Sequence, residues 1–75
     1  MITVKILLDS VQKVKEFSAI VAKTEAECEL IQGPRILDAK SIMGIFSLNL
    51  QEPVQLRINS DRSELPKSLK KFLAD

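Results

Sequence analysis

One serine stands where this chain could carry chemistry, Ser41, ahead of "IMGIFSL"; Asp9 or Ser10 can cap the helix that follows in "VQKVKEFSAIVA". Serine is among the preferred helix N-caps because its oxygen accepts a backbone N–H that has no partner in the first turn. The same position suits a phosphate. Free N–H groups and the positive end of a helix stabilise a dianion, and Lys40 beside Ser41 adds charge. Other reactive groups are scarce. The chain has no histidine and one cysteine, Cys28, and it lacks a metal-ligand cluster, a glycine-rich phosphate loop and a nucleophile with a base beside it. These absences argue for a protein that is not an enzyme and carries no cofactor.

The segment after Ser41 raises a second question. Ile42, Met43, Ile45, Phe46 and Leu48 are more apolar side chains than about two helical turns can hide on one face. With Ile45 and Leu48 directed at a core, Ile42, Met43 and Phe46 fall on or near the opposite side. Met and aromatic side chains suit an adaptable protein contact.

The elements that position these residues are legible in the pattern. Ile2, Val4, Ile6 and Leu8 alternate with Thr3, Lys5 and Leu7, which predicts a strand over about residues 2–8. Val11, Val14, Phe17 and Val21 predict a helix over about 10–23. In "TEAECELIQGPRILD" the glutamates alternate with Ala26, Cys28 and Leu30, giving a second strand with Cys28 on its core face. The acidic neighbours would disfavour a thiolate there. Gly33 and Pro34 supply a tight reversal into a short strand, Arg35 to Asp38. Val54, Leu56 and Ile58 give the fourth strand after Pro53. "NSDRSE" offers turn and cap residues, and Leu65, Leu69, Phe72 and Leu73 trace a stripe on a last helix with Pro66 in its first turn. Lys67, Lys70 and Lys71 suit the C-terminal end of that helix, whereas Lys13 and Lys15 near the start of the first one are solvated close to Asp9 and Glu16. The order β-α-β-β-α-β-α describes one α+β domain over residues 1–75, with a mostly antiparallel four-stranded sheet covered on one face by helices.

Composition excludes several classes. Eleven basic and ten acidic residues leave a net charge of +1, and there is no Trp or Tyr and only three Phe, so neither the field nor the stacking surfaces for nucleic acid are present. No apolar run reaches the roughly 18 residues of a bilayer span, and "MITVKILLDS" has no signal-peptide character. With a lone cysteine, the expectation is a cytoplasmic protein.

The element order and the string "KSIMGIFSL" together resemble HPr, the small phosphocarrier of the bacterial phosphoenolpyruvate-dependent sugar phosphotransferase system. The resemblance implies an open-faced β-sandwich. It also implies that Ser41 matches the serine phosphorylated by a dedicated kinase in Gram-positive members, so an HPr-type serine kinase is an implied partner. Ile42, Met43 and Phe46 match the family's exposed docking patch. The family's Gly-Leu-His-Ala-Arg-Pro motif is lost: its phosphorylated histidine falls on Ser10, its arginine on Gln12 and its proline on Lys13. A phosphoserine ester holds its phosphate far more firmly than a phosphohistidine, so Ser10 is no substitute in a relay. Divergent members without the histidine, such as the catabolite-repression HPr-like protein, act in regulation. The resemblance therefore implies a regulatory module that binds a protein through Ile42, Met43 and Phe46. The alternative is a structural protein that pairs with its own copy as a homodimer through that patch.

Overall fold

The computed structural model describes residues 1–60 and 65–74. The elements run β1 (Ile2–Ile6), α1 (Val11–Ala22), β2 (Glu27–Gln32), β3 (Arg35–Asp38), α2 (Ile42–Phe46), β4 (Val54–Asn59) and α3 (Lys67–Lys70). The four strands form one antiparallel sheet in the order β1-β4-β2-β3. This is the α+β open-faced sandwich expected from the sequence.

Strand alternation sorts the side chains into rows. On the helix-covered face, Ile2, Ile58 and Cys28 align, followed by Val4, Leu56, Leu30 and Leu37, then Ile6 and Val54. Val14, Phe17 and Val21 of α1, Ile45 of α2, and Leu69 and Phe72 pack onto these rows. Phe17 and Phe72 meet edge to face at 5.7 Å between ring centres, the arrangement favoured by aromatic quadrupoles. The open face carries the alternate rows Thr3, Arg57, Glu29, Asp38 and Lys5, Gln55, Ile31, Ile36. There the Arg57 Nε and Nη2 both donate to Glu29 Oε1, at 2.9 and 2.6 Å.

Turn chemistry fixes the β2-β3 register. Gly33 has φ +60° and is followed by Pro34, whose φ must be negative, so the two-residue loop is a type II′ turn. It closes on the pair Gln32 and Arg35.

The structure corrects several boundaries. β1 ends at Ile6, although Leu8 beyond it is buried as expected. Val11 is exposed, because at 100° per residue it lies about 90° from the centre of the Val14, Phe17, Val21 stripe. The last helix is the largest difference. α3 has only four residues, Pro66 precedes it as its N-cap, and Leu73 is exposed, not part of a buried stripe. The physical reason is the edge of β1. Leu7 N–H donates to the Phe72 carbonyl at 2.8 Å and Ala74 N–H to the Lys5 carbonyl at 2.9 Å, so the chain leaves the helix to satisfy strand groups that would otherwise lack partners. Within "NSDRSE", residues 61–64 lie outside the described residues, and with them that part of the expected cap.

Candidate functional site

Ser41 is the N-cap of α2, in an extended conformation, and its Oγ accepts the Gly44 N–H at 3.2 Å. The Ser41 N–H donates to the Asp38 carbonyl at 3.0 Å, and the Asp38 carboxylate accepts the Lys40 N–H at 2.9 Å. Those two bonds fold the chain from β3 into the helix. Gly44 lies in close approach: a Cβ there would sit 3.3 Å from both Leu37 Cδ1 and Ser41 Oγ, so a larger residue needs those side chains to give way slightly. The Lys40 ammonium does not face Ser41 Oγ but donates to the Thr24 carbonyl at 2.8 Å. Its expected support for a charge on Ser41 is therefore spent on the end of α1.

The five-residue helix orders its apolar side chains by angle. Taking Ile45 as the buried reference, Ile42 stands about 60° away, Phe46 about 100° and Met43 about 160° at 100° per residue. Exposure follows that order, at 40% for Ile42, 47% for Phe46 and 82% for Met43, while Ile45 and Leu48 are buried. These three residues form one exposed apolar surface on α2. Isolated helices this short do not persist in water, so tertiary contacts must hold it.

Two side chains from the β2-β3 hairpin supply those contacts, and sequence reasoning did not find them. Arg35 donates through Nη1 to the Ser47 carbonyl at 2.6 Å and through Nη2 to Ser47 Oγ at 2.8 Å. Gln32 donates to the Asn49 carbonyl at 2.8 Å and accepts the Asn49 N–H at 2.9 Å. Pairings over 12 and 17 positions leave no periodic trace in a sequence. Ala39, fully buried, and Ile36, exposed on the open face, were also missed.

Ser10 caps α1: its Oγ accepts the Lys13 N–H at 3.1 Å. The Lys13 ammonium lies 2.9 Å from the Asp9 carboxylate and holds that group below the usual carboxylate range, so Lys13 is ion-paired, not waiting for an anion. Gln12 donates to Glu16, and Lys71 pairs with the other Glu16 oxygen at 2.5 Å. Ser10 and Ser41 thus head two different helices. Cys28 is buried as expected, but the cause of its raised pKa differs from the expected one. Burial dominates, Lys40 opposes it, and Asp38, not the flanking glutamates, adds to it. Among the described residues no group of His, Cys, Asp and Glu could hold a metal ion, and no helix is long and apolar enough to cross a membrane.

No family model matches the chain, and no curated protein matches it. Among solved structures it is similar to the crystal structure of HPr-C-His from Thermoanaerobacter tengcongensis. The TM-score is 0.70 at 25% sequence identity, over 81% of this chain and 76% of that one. With the β1-β4-β2-β3 sheet and its three helices, that likeness makes the chain HPr-like, with the fold of the phosphocarrier family.

Proposed function

We propose that this HPr-like chain is not an enzyme and not a phosphocarrier but a regulatory module that acts by binding a protein through Ile42, Met43 and Phe46. The observation that carries this reading is the exposed apolar surface on α2, pinned at both ends by hydrogen bonds yet turned away from the core. A small domain gains stability from every apolar side chain it buries, so leaving three together in water has a cost that a docking partner offsets. The absence of histidine supports the negative half. A relay needs a leaving group that can be protonated and a guanidinium fork to steady the phosphoryl group, and the chain has Ser10 and Gln12 where the family has those residues.

Phosphate on Ser41 is the proposed control. It would add roughly two negative charges beside the patch and alter docking without refolding the domain. Because Lys40 is engaged with Thr24, this switch relies on the helix-cap N–H groups for local stabilisation.

Incubation with phosphoenolpyruvate, Mg²⁺ and the first enzyme of the phosphotransferase system leaves the mass unchanged in this reading; an acid-labile phosphate on the chain would sink it. Recovery of partners from extract, compared between wild type and Phe46→Asp, tests the binding half. A partner retained equally by both proteins removes the patch from the function. Treatment with an HPr serine kinase tests the control, since Ser41 left unmodified while an authentic HPr is modified ends it.

A further inference from the structure

The two edges of the sheet are treated differently. Beside β1 the segment 72–74 occupies the outward Lys5 carbonyl and the outward Leu7 N–H. Beside β3 no strand pairs among the described residues, and Ile36 is 58% exposed there. Such an edge is a template for another strand, a tendency that shortness, charge, proline, a bulge or a covering segment reduces. β3 has four residues with Arg35 and Asp38 at its ends, and Pro34 precedes it, so any pairing there is weak.

The direction of each backbone group at that edge follows from the hairpin. The two-residue turn makes Gln32 and Arg35 a hydrogen-bonded pair, so Leu30 and Leu37 form the next one and the groups of Ile36 point away from β2. The Ala39 N–H donating to the Cys28 carbonyl at 2.9 Å fits the same alternation. Ile36 therefore presents an outward N–H and C=O, and Asp38 an outward N–H. The Asp38 carbonyl also points outward but already accepts the Ser41 N–H. Pro34 has no N–H, and because its peptide with Arg35 is trans and that residue's N–H bonds inward, its carbonyl points outward.

We infer that a second copy of this chain pairs antiparallel with β3 across a two-fold axis at Ile36. In that register each Ile36 donates to and accepts from its counterpart, and each Asp38 N–H donates to the other copy's Pro34 carbonyl. The groups left facing each other are the Asp38 carbonyl, already satisfied, and the Pro34 nitrogen, which has no hydrogen to place. No donor or acceptor is wasted. Moving the axis to Leu37 would set Ile36 opposite the Asp38 carboxylate and force the Asp38 carbonyl to serve two donors.

The side chains agree with the first register. Ile36 shares its row with Ile31, so the joined sheets carry Ile31, Ile36, Ile36 and Ile31 side by side, and no like charges face each other across the axis. Because a two-fold contact uses the β3 edge of both copies, pairing there ends at a closed dimer, and 72–74 cover part of the β1 edge. This contact lies on β3, goes beyond the docking surface on α2, and leaves Met43 out.

Amide exchange and sedimentation on the intact chain decide it. A contact of one short strand is small, so the dimer is expected to be weak, forming toward about 1 mM and absent near about 10 µM. The Leu37 amide is protected at both concentrations, while those of Ile36 and Asp38 gain at least about tenfold protection only at the higher one. Ile36→Lys raises the dissociation constant at least about tenfold by placing like charges on the axis, and Met43→Asp leaves it unchanged. A monomer near 1 mM with unprotected Ile36 and Asp38 amides overturns the inference, as does a dimer that survives Ile36→Lys and is lost in Met43→Asp. Should Ile36→Lys fail to fold, the wild-type amide pattern still gives the answer.

Discussion

The guanidinium of Arg35 in β3 forks onto Ser47, with Nη1 2.6 Å from its carbonyl oxygen and Nη2 2.8 Å from its Oγ. Ser47 Oγ in turn donates to the Gly44 carbonyl at 2.5 Å. A cation placed on the last carbonyls of a helix opposes the negative end of its dipole and satisfies acceptors that have no partner within the helix. Arg35→Ala is therefore expected to destabilise the domain by about 1 kcal/mol, below the roughly 1.5–3 kcal/mol of hydrogen bonds to charged groups because the site is exposed. The melting temperature should fall by roughly 4–8 °C. Exchange of the Ser47 and Leu48 amides should accelerate ahead of those in β4. Uniform acceleration across both segments would show that the fork does not hold α2 specifically.

Burial at Cys28 raises its thiol pKa, with Asp38 adding to the effect and Lys40 opposing it. Iodoacetamide at pH 8 should label native protein at least about a hundredfold more slowly than protein in urea, because reaction waits for the β2 region to open. The pH dependence has a definite sign. The folded value lies above the unfolded one, so the contribution of this group is full below the unfolded value and is lost as pH rises toward the folded value. Cys28→Ala should remove that alkaline decline, and a decline that persists unchanged would assign it to other groups.

The readable part of the fold was the part governed by short periods. Val54, Leu56 and Ile58 alternate because one face of β4 is buried, and the Gly33-Pro34 turn allows one hairpin geometry. Ile45 and the three exposed residues of α2 also sorted correctly, since four side chains cannot share one helical face. The tail defeated this reasoning. Leu65, Leu69, Phe72 and Leu73 have helical spacing, but the decisive demand came from β1 groups more than sixty residues earlier in the chain. The Arg35 and Gln32 contacts were hidden for the same reason, and polar side chains in a hairpin carry no mark of which distant carbonyl they will meet.

Lys71 lowers the pKa of the Glu16 carboxyl, mainly through a direct hydrogen bond and then through its charge. Lys13 does the same for Asp9. Both folded values lie below the unfolded ones, so any stability these pairs supply is present above the ordinary carboxylate range and is lost as pH falls through the folded values. Lys71→Met should move the Glu16 titration, followed by carboxyl carbon shifts, up toward the ordinary value and leave Asp9 in place. Lys13→Met should do the reverse. High salt should weaken both shifts because the pairs are exposed. If Glu16 fails to respond to loss of Lys71, the link between α1 and the C-terminal segment is not maintained in solution.

Met43 and Ile45 lie two residues apart on α2 but occupy opposite environments, one 82% exposed and the other fully buried. An aspartate at position 43 meets water, so Met43→Asp should change stability by no more than about 0.5 kcal/mol. An aspartate at position 45 would be an unpaired charge among Val14, Leu48 and the other core side chains, and that defect exceeds what a domain of this size can absorb. Ile45→Asp should therefore abolish the cooperative thermal transition. The contrast gives a clean control for the docking role of α2, because Met43→Asp can lose a partner without losing its fold. A Met43→Asp protein that melts as early as Arg35→Ala would mean that Met43 is packed in solution, and the surface assigned to the partner would then belong to the core.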